Sequence, residues 1–506
     1  MIRRRIRKSV PRRARRPWPG VSAATLLLCV LAPGWGLDAK GQEQLEEARE
    51  GAPAVQGVVD FQVAPDVRRL EFSPTAVAEP FLGIELFPPL RDRRPGNAVV
   101  WFGKVKAEQN AFFGNPEIQT KIAEWVDKPL DELRAEPRPL LTPESAPFYY
   151  LKRSAYSMQC DWQLPVHDGE YVSILLPDVQ EARTYARLLA GIARWQIAHG
   201  DYDGAIETLR IGYGLGSKVA EAPAFVCTLV GIAIHGIMHE QLLEMMQQPD
   251  APNLYWALTA LPRPLVDPRL GLDGEFDAME LSIGRALNAE GRDNDSAWWT
   301  ERVREIEVMN ELFETGRDSR PRSYPIIEAV EAINRNLAEY QRSKEVLIDL
   351  GWDAAEVEEM PMGRVMVLAN WHVYRVGRDR MMRTLYLSHR ERMKYVSRDH
   401  EELSALPELG LIHKDLVLVG PVVHEVLLRQ ERDVALLRTY AAVQAHAAAN
   451  EGRLPETLDE ITVVPIPLHP GTGEPFEYEL NGESATIRDP SITRKPIEVI
   501  INVRPN

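Results

Sequence analysis

One stretch near the middle of the chain, AHGDYDGAIETLRIGYGLG at 198–216, restricts the fold more than any other. Gly200 marks a reversal, and the residues on either side of it recur at helical intervals. Upstream, Ala193, Ile192 and Leu189 lie seven, eight and eleven residues back; downstream, Tyr202, Ala205, Leu209 and Gly212 lie two, five, nine and twelve on. Such spacing returns each set to one face of a helix. Two antiparallel helices approach closely only where small side chains meet at the crossing, which is the part the spacing gives to Ala193, Ala205 and Gly212. Leu189, Ile192 and Leu209 then fill the space beside the crossing, and Tyr202 plugs the turn. The stretch specifies a packed helical hairpin and no reaction.

The rest of the chain extends this helical pattern. Pro177 and Asp178 start a segment that runs to Ala198, and the return helix is expected over Gly204–Gly216. Pro223 then opens AFVCTLVGIAIHGIMHEQLLEMM, closed by Pro249; its apolar residues surround the axis, as in a central, buried helix. NLYWALTALPRPL reads as a compact turn leading into long charged helices between Phe276 and His400, and a last helix runs from about Val422 to Asn450. Before the hairpin, NAVVWFGKVKAEQNAFF is helical, with Val100, Lys104 and Ala107 on one side, and Pro137, Pro139, Pro143 and Pro147 break the chain into turns. The C-terminal end changes period. FEYELNGESATIRDP alternates Phe476, Tyr478 and Leu480 with Glu477 and Glu479 and places Asn481 and Gly482 at a two-residue reversal, while IEVIINV supplies a third strand. The expected fold is mainly α, a repeat-like helical domain over 96–450 followed by a small antiparallel β module over 451–506 packed on the last helix.

The N-terminus reads as an address. Its first 36 residues carry nine Lys or Arg and no acid, then the apolar run VSAATLLLCVLA and the breaker PGWG, the order of an export signal cut near Leu37. Twelve apolar residues fall short of the roughly 20 that an ordinary spanning helix needs, so an inner-membrane anchor at 21–32 is the alternative. Residues 37–95, rich in Pro, Gly, Ala and charge, read as a mobile leader. Removing the signal leaves 50 Lys plus Arg against 74 Asp plus Glu, a net charge of −24 that repels phosphate backbones and makes nucleic acid an unsuitable partner. Only Cys160 and Cys227 remain after cleavage; an exported chain leaves open one disulfide or two buried free thiols.

The central hairpin resembles a tetratricopeptide repeat, which needs a turn glycine, a plug, a small contact residue and large packing residues at these same places. Gln196 stands where the repeat has an aromatic, no proline closes the unit near Ser217, and no second copy is as clean. Gly212, Gly214 and Gly216 are expected to weaken the second helix by roughly 1 kcal/mol each. More broadly, CDW at 160–162, LLPDVQEARTYARLLAGIARWQIAHGDYDGAIETL, LVGIAIHGIM, PNLYWALTALPRPL and GRLPETLDEITVVPIPLHPGTGEPFEYEL, in that order, resemble a family of exported planctomycete proteins with one tetratricopeptide-like helical region. That resemblance implies a helical fold and export and brings no activity with it. Its terminal block has Asp before the proline where this chain has His469.

Candidate chemistry is sparse. His235 and His239, four apart on the apolar helix, could both reach one metal, although Glu240 lies on another face, the order HExxH is absent and no third ligand is evident. GYGLG at 212–216 ends a helix where a dinucleotide fold needs a strand entering a turn, and GLGSK lacks a phosphate loop's lysine placement. Glu358–Glu359 and Glu401–Glu402 fall in solvated helical stretches, and Trp256, Trp298, Trp299 and Trp371 suit a core or interface better than a sugar platform. No cofactor is implied. Three functions follow: an exported scaffold binding a protein or peptide in the cell envelope, a metal-dependent envelope hydrolase using His235 and His239, or a pseudopilin-like assembly component.

Overall fold

The computed structural model describes residues 66–164, 177–287, 295–304, 325–404, 409, 420–489 and 496–503. The export signal expected at 1–36 and the leader's first part, 37–65, lie outside the described residues. The chain is mainly helical, with a small mixed sheet. In chain order the elements are β1 (Asp66–Phe72), β2 (Arg94–Asn97), α1 (Ala98–Glu108), α2 (Asn110–Phe113), α3 (Pro116–Asp127), α4 (Leu130–Arg134), α5 (Ala146–Ala155) and β3 (Ser157–Gln159). The hairpin region supplies α6 (Pro177–Ala198), α7 (Tyr202–Ala220) and α8 (Phe225–Met246), followed by α9 (Tyr255–Thr259) and α10 (Arg269–Leu287). Then come α11 (Pro325–Asp349), α12 (Ala354–Glu359), α13 (Met362–Thr384), α14 (His389–Ser404), α15 (Gly420–Ala449), β4 (Glu477–Asn481), β5 (Ser484–Arg488) and β6 (Ile497–Val503).

The reversal between α6 and α7 is built from local chemistry. Gly200 takes φ +73°, a left-handed conformation that favours glycine, and the Asp201 side chain caps α7 by accepting from the Gly204 amide at 3.0 Å. Helix α7 begins two residues earlier than expected and continues four residues past Gly216. Its glycines do not stop it, because they are where other groups come closest. A Cβ on Gly212 would overlap Met238, and one on Gly214 would lie 2.9 Å from the Ala155 Cβ. On Gly216 it would lie 2.6 Å from the His235 ring, and on Gly231 it would lie 2.5 Å from the Gly216 carbonyl. The helix-propensity loss is offset by close packing of α7 on α8 at Gly212 and Gly216 and on α5 at Gly214, which larger residues would prevent.

Helix α8 is the central apolar helix that its composition requires, buried by its neighbours and long and apolar enough to cross a membrane. Around it one hydrophobic core joins α1, α5, α6, α7, α8, α9, α15 and the sheet. A second cluster, with Phe225 and Leu229 of α8, Phe276, Trp299, Val367 and Val423, gathers the helices between 269 and 427. Trp298 and Trp371 pack there, whereas Trp256 sits apart beside Phe81, so the four tryptophans form no common platform.

Two expectations need correction. The sheet runs β1-β6-β5-β4, with β1 parallel to β6 and the other pairs antiparallel, so it is mixed. Its extra strand comes from the stretch expected to be mobile: Leu70 and Phe72 of β1 are buried, as is Leu86 beyond it. The alternation in DVRRLEF is short, and its partner lies more than four hundred residues away, so no local pattern announces the pairing. The sheet also shares the core of α8 and α15: Ile487, Val499 and Ile501 pack in one cluster with Met245, Leu437 and Tyr440. The expected hairpin is present, but its loop is Gly482–Glu483, one residue later than expected, and only Gly482 has positive φ (+68°). That pattern matches a II′ turn.

Candidate functional site

The residues of the hairpin motif come together. Leu189, Ile192, Ala193, Ala205 and Leu209 are buried, and Tyr202 is half-buried against the same core. Gln196, the departure from an aromatic, accepts a buried hydrogen bond from the Thr208 hydroxyl at 2.8 Å and so ties α6 to α7 by polar means. These residues pack; none presents a reactive group.

His235 and His239 lie one turn apart on α8, both against the ring of Tyr213, with centroids 5.5 and 5.6 Å away. The His235 Nε2 lies 2.9 Å from the Tyr213 carbonyl, which can only accept, so the proton sits on Nε2. Nδ1 then accepts from the Gln430 amide of α15 at 3.2 Å. One imidazole therefore bonds α7, α8 and α15 together, and its only lone pair is engaged. Burial, opposed by the Tyr213 carbonyl, pushes the His235 pKa down to about 3, so the ring is neutral at physiological pH. His239 is also buried, its pKa lowered to about 4 by that burial, and its Nε2 has no hydrogen-bond partner. The expected two-histidine metal pair is thus reduced to one available ring. Among the described residues, no three His, Cys, Asp or Glu side chains group closely enough to hold a metal.

His239 lines a small cleft of about 60 Å³ between α8, α15 and the sheet. Its walls are apolar, with Leu70, Leu243, Leu436, Leu437, Ile487 and Val499. Gly236 lines it too, and a Cβ there would meet nothing within 4 Å. Arg68, Glu240 and Asp433 supply its charge; Arg68 bonds Asp66 at 3.1 Å and Glu240 at 2.8 Å.

A second polar group ties the C-terminal segment to α15. The His469 Nδ1 accepts from the amides of Gly471 and Thr472 at 3.2 and 3.3 Å, the task an Asp carboxylate performs in an Asx turn. The His469 Nε2 faces the Asp489 carboxylate at 3.4 Å, and Arg432 of α15 holds the other Asp489 oxygen at 2.9 Å. Burial would raise the Asp489 pKa, but His469 and the Arg432 charge outweigh it and hold the carboxyl below its usual range. The two amides engage the Nδ1 lone pair, whereas Nε2 and the Asp489 Oδ1 it faces make no hydrogen bond, so the pair is held by charge and proximity.

Cys160 and Cys227 are free. The Cys160 thiol donates to the Lys218 carbonyl at 3.1 Å, Cys227 is buried, and burial pushes both thiols up to about 12, which keeps them protonated. Glu358 is paired with Lys344, and Lys218 with Glu221 at 2.7 Å. Sequence reasoning missed Gln430, Arg432, Asp489 and the cleft at Gly236. Their partners lie tens to hundreds of residues away, and no spacing rule links them. Comparison of the chain with family models, with curated proteins and with solved structures found no match.

Proposed function

We propose that this chain is an exported, repeat-like helical scaffold that binds a protein or peptide partner in the cell envelope, and that it belongs with the exported planctomycete proteins whose sequence blocks it resembles. The observation that carries the reading is the use of His235. The most chemistry-like pair in the sequence contributes one of its two rings to locking three helices together, with both nitrogens engaged. The other conspicuous Asp–His pair closes a turn and fastens the C-terminal segment. Polar groups that a hydrolase would direct at substrate here hold elements in place. The tetratricopeptide-like spacing around Gly200 supports a stacked-hairpin platform, and the cationic, acid-free start supports export.

The test is purification from the envelope fraction after mild crosslinking, with mass and metal analysis of the product. The expected result is an N-terminus near Leu37, a crosslinked polypeptide partner and no stoichiometric zinc. A cytosolic protein beginning at Met1 would refute export. Zinc bound one to one and lost in His239→Ala would replace the scaffold with the metal-hydrolase reading.

A further inference from the structure

The cleft beside His239 has a size, a lining and a charge that together narrow what could enter it. Its volume of about 60 Å³ is far below the ~300–1,000 Å³ of sites that enclose a whole small molecule, so a cofactor or substrate does not fit inside. It suits the end of one branched aliphatic side chain. The walls are aliphatic, from one face of the sheet and from α8 and α15. His239 lines the cleft as well, its Nε2 buried and without a hydrogen-bond partner.

Charge gives the sign of the occupant. The charged groups that line it are Arg68, paired with Glu240 at 2.8 Å, and Asp433, so two carboxylates face one guanidinium there, in a chain that is acidic as a whole. An anionic ligand, such as a fatty carboxylate, would meet net repulsion there, and a cationic one net attraction.

We infer that this cleft is an anchor pocket for one aliphatic side chain of a basic peptide segment, seated between α8, α15 and the sheet. The inference rests on the scaffold reading and adds where the partner binds and what it carries: Leu, Ile or Val next to Lys or Arg.

Gly236 provides the test. Leucine there starts from a Cβ in open space and grows into the cleft, so it should fill the pocket without unfolding the helix. A random-peptide display library is selected against the wild-type protein, and the enriched peptides are titrated by fluorescence anisotropy. Enriched sequences should pair an aliphatic residue with a neighbouring Lys or Arg. Gly236→Leu should weaken them by on the order of tenfold or more, the equivalent of losing one buried aliphatic side chain. Glu240→Lys, which reverses the charge at the exposed rim of the cleft and removes the partner of Arg68 while leaving the aliphatic walls in place, should weaken them several-fold, with the loss shrinking at high salt. Peptides that enrich without this pairing, or that bind Gly236→Leu as tightly as wild type, would overturn the inference and leave the scaffold reading standing. Failure to enrich any peptide would overturn both. If Gly236→Leu proves unfolded by circular dichroism, Glu240→Lys decides, and equal binding by that variant overturns the inference.

Discussion

Glycine-to-alanine substitution should have opposite signs at two positions of the paired helices α7 and α8, for a reason visible in their contacts. At Gly236 a methyl group meets nothing within 4 Å, so Gly236→Ala should stabilise by about 1 kcal/mol through helix propensity alone. At Gly216 the same propensity gain applies, but the methyl would sit 2.6 Å from the His235 ring and 3.0 Å from the Gly231 carbonyl. His235 cannot swing aside without breaking its bonds to Tyr213 and Gln430. Overpacking of this kind costs typically about 1–3 kcal/mol, and leaving a buried donor or acceptor unmet adds about 1–3 kcal/mol more. The balance for Gly216→Ala is therefore a loss of about 1–5 kcal/mol. Urea unfolding followed by helical circular dichroism measures both variants against the parent. A Gly216→Ala protein as stable as the parent, or more so, would refute the argument that the glycines set the approach of α7 to α8.

Three further outcomes follow from the same packing. Ala205→Leu should destabilise by about 1–3 kcal/mol because Ala205 is fully buried at the α6–α7 contact, while exposed Asp203 should tolerate Asn with little change in the melt. Glu207, two residues beyond Ala205, is not a neutral position: it bonds Lys152 at 2.8 Å and accepts from Tyr156 and Arg210. Acid should unfold the protein early: burial depresses His235 and His424 to about 3 and His239 to about 4. Below the ordinary histidine value of about 6.5 the unfolded chain binds these protons and the folded one does not, so each site lowers stability by about 2 kcal/mol at about pH 5. Stability is thus full above that value and falls with pH toward the folded values; unfolding free energies that stay flat between about pH 7 and pH 5 would contradict it. Asp489→Asn should destabilise by about 3 kcal/mol, the penalty for removing one member of a buried ion pair, since Arg432 and His469 both face that carboxylate. Thermal melts of Asp489→Asn within a degree of the parent would show the network to be dispensable.

What the sequence by itself determined is what short-range physics dictates. Gly200 with its flanking small and large residues specified the reversal, and Asp201 is placed to cap the next helix, because turns and caps depend on a few neighbouring residues. The unbroken apolar run of α8 specified a buried helix, and the alternation around Tyr478 and Leu480 a strand with one face inward. Tertiary structure alone decided the rest. Gly212 and Gly216 of α7, which local propensity counts as defects, became the surface on which α8 packs, and Gly214 the surface for α5, because the benefit belongs to partners that the α7 sequence does not contain. β1 joined β6 across nearly the whole chain, making the sheet mixed, because a parallel pairing leaves no hairpin signal. The histidines of α8 lay on one face as their spacing required, yet whether they could hold a metal depended on Gln430, nearly two hundred residues away. Burial and long-range hydrogen bonding, which no residue pattern encodes locally, turned His235 into a structural bond and left His239 facing the cleft.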